Sequence, residues 1–335
     1  MAIFALDRMG SDLGPEELSK AVTSYLKEDK DAKVLLFGDG EKLTGLLKDD
    51  PNFSRREIRN TSDIIPREIK PLDFLRKKNS SRYQAIAAVK NKEADCVISA
   101  GSTGGFITGA TRLLRNIEGV SRAGLCVPLP TLENHPCVAR DVGANNTNAP
   151  EDLIGFAKMG NIYAKEVLKR SSPRVFTLSN GVEEGKGTDE IVKAGERLKK
   201  ETTLNYQGNV EARYALDGKR DVLVTPGFVG NVFLKSNEGR AKFRGIKRKA
   251  AFTHSLKTKI GYLLVRKQIG ARKASLDYKA YGGAYLLGVN GICVKSHGNA
   301  NAYTFSQARK IAKKRVDSHL LEKRQKEFKD DSSNA

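Results

Sequence analysis

Short apolar runs alternate with longer amphipathic segments along this chain, and that alternation limits the folds open to it more than any other feature. Seven runs are apolar, rich in β-branched residues and as long as strands: residues 3–6, 34–37, 96–98, 125–127, 175–178, 222–224 and 292–295. Segments of helix length fill most of the gaps. The pattern predicts an α/β fold with three layers (α/β/α), a mostly parallel sheet, and functional loops at the carboxyl ends of the strands.

The length and the cysteine content further limit the domain organisation and the kinds of site that the chain can have. The 335 residues suffice for one large α/β domain, which we predict over residues 1–329, with a disordered tail over residues 330–335. Four cysteines without CxxC spacing lie mostly in apolar runs, so we expect reduced, buried thiols and no metal site. No apolar run approaches the ~20 residues that span a membrane, and the chain opens on a strand instead of a signal peptide. We therefore predict a cytoplasmic protein that uses no cofactor.

The positive charge of the chain is concentrated in two segments. The formal net charge is +20; residues 240–276 hold twelve Lys or Arg and no Asp or Glu, and residues 309–329 hold nine bases and three acids. A block of one sign attracts an acidic partner or an anionic membrane surface, whereas scattered bases mainly add solubility. We therefore expect these segments to bind a negatively charged macromolecule or surface.

An amphipathic helical pattern lies inside the first basic segment. Leu256, Ile260, Leu263 and Leu264 fall at i, i+4, i+7 and i+8, and lysines and arginines flank them. The pattern predicts a protruding basic amphipathic helical hairpin, inserted at about residues 243–278, whose four apolar residues contact a membrane. A helix packed on the core or on a partner subunit, with a basic rim, is the alternative.

Glycine and hydroxyl residues dominate the loop 99–105, which follows a predicted strand and precedes a predicted helix. Gly101 and Gly104 lack Cβ atoms, so backbone N–H groups can approach an anion closely, while Ser99, Ser102 and Thr103 add donors. The positive end of the helix dipole points to the same place. The loop therefore predicts a phosphate cradle, although a lone motif of this kind is also typical of an ordinary strand-to-helix turn.

Two further loops carry polar side chains just after predicted strands. We expect Lys186 at the same sheet end as the 99–105 loop, where its ammonium group can meet phosphate; a surface ion pair with Glu183 or Glu184 is the alternative. The glycine spacing around Lys186 is one residue too short for a nucleotide P-loop. Asn231 follows the predicted strand 222–224 beside two glycines and can donate a hydrogen bond to an oxyanion, although Gly-Asn pairs more often form ordinary turns.

Eight short motifs occur in a fixed order along the chain. They are segments 7–12 (DRMGSD), 77–81 (KKNSS), 99–105 (SAGSTGG), 141–145 (DVGAN), 183–187 (EEGKG), 208–211 (GNVE), 227–231 (GFVGN) and 281–284 (YGGA). Their order resembles that of the bacterial PlsX family, the acyl-ACP:phosphate transacylases, up to about residue 310. The resemblance implies a fold related to isocitrate and isopropylmalate dehydrogenases and to phosphotransacetylases. It also implies conversion of long-chain acyl-ACP and inorganic phosphate into acyl phosphate and free carrier protein, the opening step of phospholipid synthesis.

The resemblance further implies partners and site residues. The implied partners are acyl carrier protein, inorganic phosphate, a second copy of the chain and the anionic inner face of the cell membrane, but not nucleic acid. The implied catalytic residues are Lys186 and Asn231. The implied phosphate- and substrate-binding residues are Asp7, Gly10, Asp12, Ser99, Gly101, Ser102, Thr103, Gly104, Asp141, Asn145, Glu184, Asn209, Glu211, Gly230 and His297. The chain departs from the family pattern at Arg8, Ser11, Ser102, Val182 and Pro226.

Direct attack of phosphate on a thioester needs no catalytic triad, metal or covalent intermediate, because phosphate is already nucleophilic and the thioester already activated. Two other functions stay open at the sequence level. An NAD-dependent dehydrogenase of related fold is disfavoured, because Gly38-Asp39-Gly40 lacks the third glycine of a dinucleotide fingerprint. A non-catalytic basic protein that binds membrane or nucleic acid explains the charge but not the phosphate-type loops.

Overall fold

Eleven strands form one sheet in the computed structural model, which describes residues 2–8, 13–63, 65, 69–133, 135–275 and 282–333. The strands are β1 (Ala2–Asp7), β2 (Ala32–Gly38), β3 (Arg56–Asn60), β4 (Cys96–Ser99), β5 (Gly124–Leu129), β6 (Cys137–Arg140), β7 (Arg174–Ser179), β8 (Asn205–Glu211), β9 (Val222–Val224), β10 (Ala284–Leu287) and β11 (Ile292–Lys295). Their spatial order is β3-β2-β1-β4-β11-β10-β5-β6-β9-β7-β8. All seven strands predicted from the sequence are present.

The sheet is mostly parallel, as predicted, but its direction reverses in the middle. β10 pairs antiparallel with both β11 and β5, and β5 pairs antiparallel with β6. The strands from β3 to β11 in the spatial order therefore run opposite to β6, β9, β7 and β8. We call the carboxyl ends of β1, β4 and β11 the first edge, and those of β6, β7, β8 and β9 the second edge.

Four strands lacked a clear sequence signal. β3 and β8 are the outermost strands of the sheet and carry mostly polar residues, because only one side of each pairs with a neighbour. β6 and β10 are four residues long, and β6 ends on a buried arginine, Arg140. Short or polar strands owe their pairing to the neighbouring strands more than to their own composition.

Helices cover both faces of the sheet. They are α1 (Gly14–Glu28), α2 (Gly40–Leu46), α3 (Pro71–Arg76), α4 (Ser81–Lys90), α5 (Thr103–Leu114), α6 (Pro150–Glu166), α7 (Asp189–Leu198), α8 (Gly227–Thr253), α9 (Leu256–Ser275), α10 (Ala302–Asp317) and α11 (Leu320–Ser333). Side chains alternate along β1, so that Phe4 and Leu6 join the core under α1, α6 and α10, whereas Ala5 joins the core under α4, α5 and α8. The predicted three-layer architecture is confirmed, and all four cysteines are buried and unpaired, as expected.

The basic segment differs in extent from its prediction. α8 begins at Gly227 and continues unbroken to Thr253, so its basic part is the extension of a helix that starts at the second edge. α9 follows after His254 and Ser255, and no residue between 239 and 270 is buried. We call residues 239–270 the arm. The structure shows two consecutive helices there, and their insertion as a membrane-binding hairpin stays a prediction.

The last helix is longer than the sequence predicted. α11 reaches Ser333, so four of the six residues predicted as a disordered tail are helical, because good helix formers in the preceding turns extend the helix. Within the described ranges, every helix is too short or too polar to cross a bilayer.

Candidate active site

A buried carboxylate organises the first edge. Asp7, at the end of β1, is inaccessible to solvent and accepts hydrogen bonds from Ser81 Oγ at 2.6 Å, Ser99 Oγ at 2.6 Å and Arg82 Nε at 3.2 Å. These partners come from the start of α4 and the end of β4. Asp7 therefore joins three elements through both of its oxygens, and its contact with a ligand stays a prediction.

The glycine-rich loop at the first edge makes room for an arginine. Arg82 is 3% exposed, and its Nη1 donates to Ser102 Oγ at 3.1 Å. A Cβ atom at Gly101 would lie 1.8 Å from Arg82 Nη2, and one at Gly105 would lie 2.7 Å from Nη1. The two glycines are thus needed to admit the guanidinium group. The loop was expected to cradle phosphate with backbone N–H groups and the donors of Ser99, Ser102 and Thr103, and sequence reasoning missed Arg82 although it directly follows the 77–81 motif.

A second buried cation completes the first edge. Lys295 ends β11, lies beside Ser99 in the parallel register and is 7% exposed. Burial, together with the positive charge of Arg82, lowers the pKa of Lys295 to about 8, and Asp7 opposes this shift only partly. Its ammonium group donates to the carbonyl oxygen of Ser296. Lys295 was also missed, because one lysine at a strand end is common.

Loop 141–145 at the second edge is held by its own aspartate. The Asp141 carboxylate accepts from the backbone N–H groups of Leu125, Gly143 and Ala144 at 2.8, 3.1 and 2.9 Å, and from both the backbone and side-chain nitrogens of Asn145. Burial raises the pKa of Asp141, and these hydrogen bonds counteract the rise. Asn145 also donates to the carbonyl of Ala123. Asp141 and Asn145, expected to bind substrate, are therefore used within the loop and position it.

Glycines bring the first turn of α8 against this loop. A Cβ atom would lie 2.1 Å from the Asn145 carbonyl at Gly227 and 1.9 Å from the Asp141 carbonyl at Gly230. Asn231, one residue further, is exposed and packs beside Gly143, which has a φ of +118°. Pro226, where the chain departs from the family pattern, fits at its position because it precedes the helix. Its carbonyl oxygen accepts a hydrogen bond from Gly230 N at 2.8 Å.

The loop that carries Lys186 is clamped by Asn209. The Asn209 side-chain nitrogen donates to the carbonyls of Glu183 at 2.8 Å and Lys186 at 3.2 Å, while its oxygen accepts from Thr177 Oγ1 at 2.6 Å. Asn209, expected to bind substrate, therefore positions the turn. The Lys186 side chain projects into solvent. Glu184, one of its two possible ion-pair partners, pairs instead with Lys199.

Residues that the sequence analysis placed at one sheet end lie at two different edges in the structure. Lys186 and Asn231 follow the neighbouring strands β7 and β9 and share the second edge. The expectation that Lys186 lies at the same sheet end as the 99–105 loop is wrong, because three successive antiparallel pairings reverse the strand direction. Of the other implied site residues, Glu211 pairs with Arg213 at the second edge, and Gly10 and Asp12 lie outside the described residues.

The start of α8 connects the two edges. Asn231 lies in its first turn, and Glu238 lies seven residues later, about 10 Å along the helix axis. Glu238 Oε1 is 3.2 Å from Nε2 of His297, which follows β11 at the first edge. The charge of Lys235, one turn after Asn231, contributes to the lowered pKa of Lys295. The first turns of α8 therefore extend from Asn231 at the second edge to His297 at the first edge.

The fold places the chain in a class of three-layer α/β proteins with known structures. It matches the crystal structure of a phosphotransacetylase from Streptococcus pyogenes over 94% of both chains, with a TM-score of 0.61 and 17% identity. It also matches a 4-hydroxythreonine-4-phosphate dehydrogenase from Klebsiella pneumoniae over 96% of this chain and 98% of that one, with a TM-score of 0.53 and 12% identity. At these identities the matches show the fold alone, and they confirm the expected relation to phosphotransacetylases.

Sequence comparison shows the family. Residues 2–323 match the family model described as fatty acid synthesis protein. A phosphate acyltransferase from Staphylococcus haemolyticus (strain JCSC1435) is 38% identical over 323 residues, which cover 96% of this chain and 97% of that relative. The chain therefore belongs to the PlsX family and is a phosphate acyltransferase. This result favours the enzyme over both alternatives considered from the sequence.

Proposed function

We propose that this phosphate acyltransferase moves a long-chain acyl group from acyl carrier protein to inorganic phosphate, as the opening step of phospholipid synthesis. A phosphate oxygen attacks the thioester carbonyl carbon, the C–S bond breaks, and the carrier leaves as a thiolate that then takes up a proton. The observation that carries the proposal is the course of α8, which carries the exposed Asn231 near its start at the second edge and reaches His297, after β11, at the first edge.

The first edge offers the donors that phosphate needs. α5 begins at Thr103, and no side chain among the described residues caps its first turn, so backbone N–H groups there are available to an anion. Thr103 and Gly104 are exposed, and a Cβ atom at Gly104 would meet no described atom within 4 Å. Phosphate can therefore reach Ser102, Thr103 and Gly104 from solvent.

The second edge offers the groups that stabilise charge developing on the acyl carbonyl. Asn231 sits at the positive end of α8, where an amide donor and nearby backbone N–H groups suit a tetrahedral oxyanion. The long, exposed Lys186 side chain projects from the loop after the neighbouring strand β7 and offsets negative charge on the leaving thiolate.

The central test is release of carrier thiol from acyl-ACP by the purified protein. We expect thiol release that depends on inorganic phosphate and yields one acyl phosphate per thiol. Acyl-CoA of the same chain length serves as the matched donor. Release from acyl-CoA but not from acyl-ACP would show that the donor is wrong, and release without phosphate would show that the acceptor is wrong.

We extend the proposal to the arm. Its apolar side chains face solvent, and Leu256 and Leu264 are 75% and 77% exposed, in a segment without acids. Such a surface suits an anionic bilayer on the inner face of the cell membrane, the docking of acidic acyl carrier protein on its bases, or apposition of a second copy in a homodimer. The double variant Leu263→Glu/Leu264→Glu should lose sedimentation with anionic vesicles yet keep turnover of a soluble donor. Unchanged sedimentation would contradict the membrane contact.

A further inference from the structure

We propose that Arg82 and Lys295 supply the positive charge that binds phosphate at the first edge. This inference rests on the proposed function and deepens it, since it assigns the phosphate site to two residues that sequence reasoning did not select. The ligand is a small tetrahedral oxyanion with two negative charges, namely inorganic phosphate.

The buried groups at the first edge carry more positive than negative charge. Arg82 and Lys295 are both nearly inaccessible to solvent, and the only carboxylate hydrogen-bonded to either in the described residues is Asp7. Asp7 already accepts from Ser81 and Ser99. Two cations against one carboxylate leave an unbalanced positive charge in a site that is largely excluded from water, which is costly unless an anion binds.

The guanidinium group of Arg82 lies against the loop that opens α5. Arg82 Nη1 lies 3.1 Å from Ser102 Oγ, and Nη2 stands over Gly101, so the cation lies directly beneath the turn that opens α5. The other side of this turn, at Thr103 and Gly104, faces solvent. An anion on the turn would meet the helix N–H groups first and the guanidinium charge immediately behind them.

Ser102, where the chain departs from the family pattern, is bonded to the arginine. Its hydroxyl oxygen accepts a hydrogen bond from Arg82 Nη1, so the loop residue and the arginine form one arrangement. The loop thereby gains a charged group that binds oxyanions more strongly than an amide does.

Lys295 adds a charge that depends on pH. The groups that act on it are Arg82 and Lys235, which disfavour its protonated form, and Asp7, which favours it. A bound phosphate dianion would stabilise the protonated form. Phosphate affinity should therefore weaken as the pH rises above about 8 and Lys295 loses its proton.

The test compares Arg82→Met and Lys295→Met with matched controls on neighbouring helices, Arg112→Met and Lys90→Met, whose side chains are exposed. We expect each site variant to raise the KM for phosphate about tenfold or more, because each loses a charged interaction, and to change the KM for acyl-ACP less than twofold. The controls should change neither. Arg82→Lys is the control for misfolding, because it keeps a positive charge near Asp7. A lysine cannot present two N–H groups side by side as a guanidinium group does, so this variant should give an intermediate KM for phosphate.

Two readouts separate phosphate binding from a merely structural role. Lys295→Arg keeps its charge at every pH tested, so the rise in phosphate KM above pH 8 should disappear. Inorganic phosphate alone should raise the melting temperature of the unmodified protein and of both controls, but not of Arg82→Met or Lys295→Met.

The outcomes distinguish this inference from the proposed function. Phosphate-dependent turnover together with an unchanged phosphate KM in both site variants would overturn the inference and leave the function standing. Thermal stabilisation by phosphate that both site variants lose, without turnover of acyl-ACP, would support the inference and overturn the function.

Discussion

The two edges of the sheet are held together by opposite means. At the first edge, side chains from three elements converge on Asp7, and the result is a buried, charged cluster. At the second edge, backbone N–H groups saturate Asp141, glycines bring the backbone of α8 into contact, and Lys186 and Asn231 stay exposed. The comparison teaches that the first edge concentrates buried charge, which suits the anion that we propose there, whereas the second edge presents exposed side chains to solvent, where we propose that the acyl donor approaches.

The close backbone contact at the second edge should give the largest effect. In Gly230→Ala a Cβ atom would lie 1.9 Å from the Asp141 carbonyl, so the start of α8 must move. We expect a loss of about 1–3 kcal/mol in the free energy of unfolding and loss of most carrier release. Urea denaturation and the thiol-release assay measure both quantities.

Gly239→Ala is the control for that prediction. It lies on the same helix, and no described atom is within 4 Å of its Cβ position. This variant should be equally or more stable, by up to about 1 kcal/mol, because alanine favours a helix interior. Equal stability of the two alanine variants would show that the second edge is not closely packed.

Asn231→Ala should give the next largest effect, and it should lower the catalytic rate without changing the fold. Loss of an oxyanion donor costs about 3 kcal/mol in the transition state, or roughly a hundredfold in kcat. Asn237→Ala, on the same helix, should leave kcat within twofold, since the Asn237 side chain bonds the carbonyl of Phe233. A near-normal kcat of Asn231→Ala, measured by thiol release, would show that Asn231 does not stabilise the oxyanion.

Asn209→Ala tests whether the second edge needs a positioning residue. It removes two hydrogen bonds to the turn that carries Lys186, so we expect kcat to fall about tenfold with a small change in melting temperature. Asn205→Ala, at the other end of β8, is the control. An Asn209→Ala enzyme as fast as the control would mean that the turn holds Lys186 without the clamp.

The smallest effect concerns the stability of the first edge as a function of pH. The pKa of Lys295 is about 8 in the fold against an ordinary value of 10.5, so the unfolded chain binds more protons between these values. The buried charge therefore destabilises the fold fully below pH 8, and this penalty fades as the pH rises towards 10.5. Without phosphate, Lys295→Met should be more stable than the unmodified protein at pH 7, and the difference should shrink by pH 10.

Chemical denaturation at pH 7, 8.5 and 10 checks that prediction, with Lys90→Met as the control for a lysine that is exposed to solvent. A variant that is less stable than the unmodified protein at pH 7 would show that Lys295 is not an unbalanced charge.

Much of the fold was accessible from local sequence. Strands such as β1, β4 and β9 are apolar and β-branched, so their composition alone marks them. Lys186 and Asn231 were both placed in loops after strands, and the structure finds them after neighbouring strands. The polar outer strands β3 and β8 were missed, because their conformation depends on a neighbour and not on their own pattern.

The sequence by itself determined which segments form strands and helices, the motifs of the family and the concentration of charge, because these depend on residues close together in the chain. Only the tertiary structure decided the direction of each strand, and so which loops share an edge, because pairing among β10, β5 and β6 joins segments far apart in sequence. It alone also showed that the space left by Gly101 and Gly105 is filled by Arg82. A glycine in a sequence marks room for an atom, and long-range packing determines which atom occupies it.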